Sequence, residues 1–201
     1  TLFGFDDFEE KRKEGSTYHA AAPENLFQFM KSIGVSHECF ASPLNCHFKS
    51  FCSAFPDTDG VFGSCGSFFS FFPTEGSYEV GPPYTEEVME RTATHCISLL
   101  ESSSSPLSFV VFVPDWRNPL QECQRVMEES SWTVRHFVAQ GKNHAYLVGD
   151  QHLPGKQGEH FVLPFSTHIY VMQNEAGKKK WPIDDNFEKE MLSLLSDAAA
   201  R

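Results

Sequence analysis

Residues 81–84 of the chain read Gly-Pro-Pro-Tyr, between a short apolar strand pattern and a helix pattern that begins near Thr85. The two prolines fix their backbone φ angles and stiffen the loop, so Tyr84 would project from a rigid base. A ring held in this way can stack on a flat nucleobase, which is worth about 1–3 kcal/mol. Carbonyl groups of the same loop can accept hydrogen bonds from an exocyclic amine. This combination suits methyl transfer to a base amine, whose weakly nucleophilic nitrogen must be oriented in line with a sulfonium methyl group.

Taken by themselves, the four residues favour a plain strand-to-helix turn in which Tyr84 only packs. The order of the elements around them predicts an α/β fold, because helix patterns near Pro23, Thr85 and Asn118 alternate with strand patterns. Thr85 and Asn118 are expected to act as N-caps. The apolar run "LSFVVFVPDW" (107–116) is typical of a central parallel strand covered on both faces. The sequence therefore predicts a three-layer α/β/α sandwich with a mostly parallel sheet.

Ligands bind at the carboxyl ends of the strands in sheets of this kind. Both "GPPY" and the earlier motif "FASPLN" (40–45) follow a strand pattern directly, so both are expected at that edge. The two motifs are therefore the candidate walls of one ligand site.

Composition limits the classes of function. The 201 residues carry a formal net charge of −11, which argues against a general coat protein for DNA or RNA, since each phosphate contact favours a Lys or Arg. The charge is compatible with an enzyme that binds one nucleotide in a pocket. No apolar run approaches the roughly 18–20 residues that cross a bilayer, so no membrane partner is expected. Six scattered cysteines without a C-x-x-C pair indicate reduced thiols in the nucleus or cytosol.

Five histidines recur every eight residues, at His136, His144, His152, His160 and His168. A metal site needs ligands that converge, and a spacing of eight across different strands and loops gives no reason for that. The sequence therefore predicts no metal site. Residues 1–21 match no recognisable pattern and form a segment of unknown role, and the predicted domain covers residues 22–201.

Longer stretches of the chain resemble one protein family. "FASPLN", "AFPDTDG" (54–60) and "PLSFVVFVPDWR" (106–117) are similar to the catalytic domain of the cap-specific adenosine N6-methyltransferase family, also known as phosphorylated CTD-interacting factor. The resemblance covers roughly residues 22–175. It implies a Rossmann-like class I methyltransferase fold with S-adenosylmethionine as cofactor. The implied substrate is the N6 amine of a 2′-O-methylated adenosine beside the 7-methylguanosine cap of messenger RNA.

The resemblance also implies roles for individual residues and a setting for the protein. The residues beside the methionyl or adenosyl part of the cofactor would be Ala41, Ser42, Pro43 and Asn45. The catalytic motif, which would hold and stack the target adenine, would be Gly81, Pro82, Pro83 and Tyr84. The implied partners are capped messenger RNA and, through regions outside this chain, the phosphorylated tail of RNA polymerase II. The implied location is the nucleus.

One position departs from the family pattern. The catalytic motif opens with Asn, whose side-chain oxygen normally accepts a hydrogen bond from the amine being methylated, and Gly81 has no such oxygen. Losing one transition-state hydrogen bond costs about 10²–10³ in rate. The acid that would bind the cofactor ribose is also missing from "SFFSFFP" (67–73), and the nearest alternatives are Asp57, Asp59 and Glu79.

Three accounts of Gly81 are open at this point. Other groups, such as the Pro82 carbonyl and ordered water, could suffice for methyl transfer. The domain could be a degenerate member that binds RNA or a partner without chemistry. The smaller residue could instead admit an amine that already carries a methyl group, which would allow dimethylation.

Overall fold

The computed structural model describes residues 21–115, 121–147 and 160–200. In these ranges the helices are α1 Glu24–Met30, α2 Pro56–Asp59, α3 Glu86–Ser102, α4 Glu122–Glu129, α5 Glu175–Lys180 and α6 Asp185–Ala199. The strands are β1 Val35–Glu38, β2 Gly76–Val80, β3 Leu107–Pro114, β4 Thr133–Ala139, β5 Ala145–Leu147, β6 His160–Val162 and β7 Thr167–Gln173. Short 3₁₀ turns lie at Lys31–Ile33, Gly60–Phe62 and Phe68–Ser70.

Five strands form one mixed sheet in the order β1-β2-β3-β7-β4. The first three are parallel neighbours, and β7 lies antiparallel to both β3 and β4. Four of the five strands therefore point in one direction, which confirms the predicted mostly parallel sheet. The reversed strand β7 was not predicted. β5 and β6 form a separate antiparallel pair.

Helices cover both faces of the sheet, which confirms the three-layer α/β/α arrangement. Successive side chains of β3 point to opposite faces, so its residues divide between two hydrophobic cores. One core joins α3 and α4 to the sheet and includes Met89, Phe109 and Met127. The other joins α1 and α6 to the sheet and includes Leu26, Phe112 and Met191. Every residue of β3 is buried, as the continuous apolar run predicted.

Several local predictions can be compared with the structure. The helix after Pro23 is confirmed and ends at Gly34, whose φ of +78° suits glycine. Thr85 occupies the N-cap position of α3, as predicted, but its side chain makes no capping hydrogen bond. The apolar stretch 160–174 forms two strands, and the segment between them contains Pro164, which has no N–H to donate to a ladder. Asn118, the other predicted cap, lies outside the described residues.

Two further findings concern the setting of the domain. All six cysteines are free thiols, in line with the sequence. Among the described residues, no helix has both the length and the apolar character that crossing a bilayer requires. The predicted boundary between residues 21 and 22 stays a prediction, because residues 1–20 are not described.

The buried side chain of Asn174 connects the end of β7 to the start of β3. Its Oδ1 accepts hydrogen bonds from the backbone N–H groups of Leu107 at 3.1 Å and Gly177 at 2.8 Å. Its Nδ2 donates to the backbone carbonyls of Ser103 at 2.9 Å and Ser105 at 2.7 Å. One side chain thus satisfies four backbone groups at the point where the chain enters the central strand.

Substituting Asn174→Ala should lower the free energy of unfolding by about 2–4 kcal/mol, because buried backbone donors and acceptors lose their partner. The measurement is urea denaturation followed by circular dichroism. Asn143→Ala, at an exposed turn position, is the matched control and should stay within about 0.5 kcal/mol of wild type. Equal stability of the two variants would show that the Asn174 connection contributes nothing.

Candidate functional site

A cavity of about 660 Å³ lies at the carboxyl ends of β1 and β2. Ligand pockets typically measure about 300–1,000 Å³, so this cavity can hold a small organic molecule. The residues after β1 and the residues after β2 line the same cavity, as the strand-end argument predicted. Phenylalanines such as Phe40 and Phe68 form part of its wall without filling it.

The structure brings together seven of the eight residues named as site candidates. Those that line the cavity are Ala41, Ser42, Asn45, Gly81, Pro82, Pro83 and Tyr84. Pro43 is not among the lining residues. The shared location gives no test of the individual roles, which stay predictions.

Backbone hydrogen bonds hold the loop after β1 in place. Cys39 N donates to the Glu79 carbonyl at 2.8 Å, and Ala41 N donates to the Cys52 carbonyl at 2.9 Å. Within the loop, Asn45 Oδ1 accepts from the backbone N–H of Ser42 at 2.8 Å and from its hydroxyl at 2.9 Å. The amide oxygen of Asn45 therefore shapes the loop from inside.

The Gly-Pro-Pro-Tyr loop is closed by a hydrogen bond from Thr85 N to the Pro83 carbonyl at 2.7 Å. Pro82 is buried and Pro83 is exposed. The Tyr84 ring meets Phe165 edge-on, with centroids 5.9 Å apart and planes at 75°. Burial and the neighbouring Tyr146 hydroxyl raise the pKa of Tyr84 well above its usual range, so the phenol stays neutral.

Two buried carboxyl groups form the floor of the cavity. Glu38 and Glu79 are register partners at the ends of the parallel strands β1 and β2, and both line the cavity. Glu38 Oε2 accepts hydrogen bonds from the backbone N–H groups of His47 and Phe48, each at 2.8 Å. Desolvation nevertheless raises the pKa of Glu38 to about 7. Burial, together with the charge of Glu38, raises the pKa of Glu79 well above its usual range.

The described lining residues include a third acid, Asp59, and neither a lysine nor an arginine. Of the three acids suggested by the sequence as ribose ligands, Asp59 and Glu79 line the cavity and Asp57 does not. Glu38 was missed as a site residue. Its signal was available, since Glu38 stands two residues before "FASPLN", at the end of a strand, and an acid is costly to bury there without a function.

The Glu79 carboxyl lies beside Gly81. A Cβ atom built on Gly81 would be 2.9 Å from Glu79 Oε1, which is closer than ordinary contact. The space that glycine leaves is therefore occupied by the acid. The dimethylation account of Gly81 requires free volume at this place, which the Glu79 carboxyl takes up.

His136 and His168 lie close together, although the spacing of eight gave no reason to expect the histidines to converge. His136 Nε2 lies 2.8 Å from His168 Nδ1, and a Glu128 oxygen lies within 4.8 Å of both. His168 Nε2 also lies 3.2 Å from Asp115 Oδ1. His144 lies apart from this cluster, with its Nε2 hydrogen-bonded to Thr167.

The sandwich, the parallel strand ends and the cavity at those ends define a Rossmann-like α/β domain with a cavity of ligand size. A family model described as "Phosphorylated CTD interacting factor 1 WW domain" matches residues 1–149, about three quarters of the chain. The chain belongs to this family. The resemblance seen in the sequence is thereby confirmed.

Proteins of Homo sapiens and Mus musculus, each named "mRNA (2'-O-methyladenosine-N(6)-)-methyltransferase", are 43% identical to this chain over 169 residues. The alignment covers 84% of this chain and 24% of each relative, so the chain spans about a quarter of their length. Among solved structures, the N-methyltransferase NodS from Bradyrhizobium japonicum WM9 is 14% identical, with a TM-score of 0.38. That match covers 85% of this chain and 99% of NodS.

The raised pKa of Glu38 predicts a pH-dependent stability. The folded state holds the proton of Glu38 more tightly than the unfolded state does. The free energy of unfolding should therefore fall as pH rises from about 4.5 to about 7. Glu38→Gln keeps an oxygen for the two backbone N–H groups and cannot ionise. Over this pH range the free energy of unfolding of the variant should therefore fall by roughly 2–3 kcal/mol less than that of wild type.

Urea denaturation at pH 4.5, 6 and 7.5 measures this difference. Glu101→Gln, at an exposed position of α3, is the control and should follow the wild-type curve. If Glu38→Gln also follows the wild-type curve, ionisation of Glu38 does not cause the loss of stability between pH 4.5 and 7.

Proposed function

We propose that this chain is the methyl-transfer domain of an S-adenosylmethionine-dependent enzyme that methylates the N6 amine of adenosine in RNA. The proposed substrate is the cap-adjacent 2′-O-methyladenosine of messenger RNA. The observation that carries the proposal is the single cavity shared by the Gly-Pro-Pro-Tyr loop and the loop after β1. Membership of the family, together with the printed name of the two mammalian relatives, supports the choice of substrate.

The acids of the cavity fit the charge of the proposed cofactor. S-adenosylmethionine carries a cationic sulfonium and an ammonium group, and the described lining contains Glu38, Asp59 and Glu79 without a basic side chain. A bound cation would favour ionisation of Glu38, and the charge of Glu38 in turn favours the neutral form of Glu79. Residues of the loop after β1, including Ala41, Ser42 and Asn45, would hold its methionyl or adenosyl part.

The same cavity would orient the reacting amine. Bound S-adenosylmethionine would supply its methyl group to the N6 lone pair, as the carbon–sulfur bonding electrons return to sulfur and one amine proton leaves to solvent. Tyr84 would stack on the adenine, and its contact with Phe165 would hold the ring in one orientation. The stiff Pro82–Pro83 segment would keep the amine in line, which is the main demand of such a transfer.

The acidic cavity also suits a nucleobase better than the phosphate backbone of RNA. A net charge of −11 repels phosphates, so RNA would present its first nucleoside to the cavity and keep the backbone outside. A substrate of this class supports a nuclear location. Binding to the phosphorylated tail of RNA polymerase II would involve regions outside this chain.

A second candidate function follows from Gly81. Without the side-chain oxygen of Asn, the domain could bind S-adenosylmethionine or capped RNA and transfer no methyl group. Calorimetry with S-adenosylmethionine, followed by mass spectrometry of capped RNA after incubation, separates the two functions. Cofactor binding with formation of N6-methyladenosine supports the enzyme, binding without transfer supports the degenerate domain, and absence of cofactor binding contradicts the proposed function.

Tyr84→Ala should weaken binding of capped RNA about 5- to 100-fold, because base stacking on an aromatic ring contributes about 1–3 kcal/mol. Tyr84→Phe keeps the ring and should bind within about twofold of wild type. Fluorescence anisotropy with a capped oligonucleotide that starts with 2′-O-methyladenosine gives the two affinities. Equal loss in both variants would mean that the hydroxyl, and not stacking, carries the contact.

A further inference from the structure

Apart from its two chain neighbours, the side chain nearest to Gly81 is an acid that has no role in orienting the amine in the proposed reaction. Glu79 lies two residues before Gly81, and its Oε1 is 2.9 Å from the place where a Cβ of residue 81 would be. The residue is 7% exposed, and it lines the cavity together with Pro82 and Tyr84. An oxygen atom is thus present beside the backbone of residue 81, although glycine itself provides none.

The groups around Glu79 favour its neutral form. Glu38, on the neighbouring strand, adds like charge, and the other titratable groups that interact with it are the neutral Cys39, Tyr84 and Tyr146. A neutral carboxyl group has one carbonyl oxygen that accepts and one O–H that donates. A carboxamide likewise has one carbonyl oxygen that accepts and an NH₂ group that donates, both on a planar carbon. A neutral Glu79 therefore resembles the head of an Asn side chain.

We infer that the Glu79 carboxyl accepts the hydrogen bond from the N6 amine of the substrate, in the place of the Asn that Gly81 lacks. The inference rests on the proposed function and deepens it. Glu79 then acts as a catalytic residue by orienting the nitrogen lone pair, and methyl transfer needs no side chain at position 81. Glycine favours this arrangement, because a Cβ at residue 81 would lie 2.9 Å from Glu79 Oε1 and displace the carboxyl.

Binding selectivity for the 6-amino group tests the inference independently of turnover. The probes are two capped oligonucleotides that start with 2′-O-methyladenosine or with the 2′-O-methyl purine nucleoside that lacks the amine. Both are bound in the presence of S-adenosylhomocysteine, which cannot donate a methyl group. Wild type should prefer the adenosine probe about tenfold, since a buried hydrogen-bonding group left unpaired costs on the order of 1–3 kcal/mol.

The variants separate the acid from its surroundings. Glu79→Met has similar length, no oxygen and an apolar end suited to burial, and it should bind both probes equally. Glu79→Gln keeps the carbonyl oxygen and should keep the preference. Glu90→Ala, at an exposed position of α3, is the control and should match wild type. Methyl transfer should fall about 10²-fold in Glu79→Met alone.

Position 81 supplies the reciprocal test. Gly81→Asn in wild type should give no gain in the preference, because the new side chain and Glu79 compete for one space. Gly81→Asn combined with Glu79→Met should restore the preference that Glu79→Met loses. This coupling is the result expected if the two oxygens are alternatives for one hydrogen bond.

Each outcome has a defined meaning. A tenfold preference that survives in Glu79→Met overturns the inference and leaves the proposed function intact. A wild-type protein that binds neither S-adenosylhomocysteine nor the adenosine probe overturns both. Loss of the preference in Glu79→Met and Glu79→Gln alike contradicts hydrogen-bond acceptance by a carbonyl oxygen, and so also overturns the inference.

Discussion

The pairing of β1 with β2 places two carboxyl groups side by side in the interior, and the site depends on this one arrangement. Burial of Glu38 and Glu79 opposes their ionisation, and the charge of Glu38 further raises the cost of ionising Glu79. An apolar pair would pack more favourably, so the acids are a cost to folding that a ligand can offset. Glu38 also accepts hydrogen bonds from the backbone N–H groups of His47 and Phe48, and it thereby holds the chain that follows the first loop.

The rest of the fold supports that arrangement. β3 is buried along its whole length and carries a hydrophobic core on each face, which fixes β2 in register beside it. Register matters because a shift of one residue would turn Glu79 to the opposite face of the sheet. The Asn174 connection secures the start of β3, and the closed Gly-Pro-Pro-Tyr loop secures the residues after β2. Strand register and hydrogen bonds thus position the part of the cavity that β2 and its following loop provide.

Much of this could be predicted from residue patterns, and the limits have physical reasons. The apolar run of β3, the helix ended by Gly34 and the two motifs at strand ends depend on local periodicity and backbone geometry, which sequence shows directly. The reversed direction of β7 depends on long-range pairing, which no local pattern encodes. The contact between His136 and His168 depends on that reversal. The position of the Glu79 oxygen beside Gly81 depends on a side-chain conformation, which spacing alone cannot specify.

The central claim is that an adenine amine meets Glu79 in the cavity between the two loops. A crystal structure of the chain with S-adenosylhomocysteine and a capped 2′-O-methyladenosine oligonucleotide tests it most directly. The account predicts the cofactor product against the loop after β1, the adenine on Tyr84, and its N6 about 2.8–3.2 Å from a Glu79 carboxyl oxygen. An adenine bound outside this cavity, or bound inside it with N6 directed away from Glu79, would contradict the account.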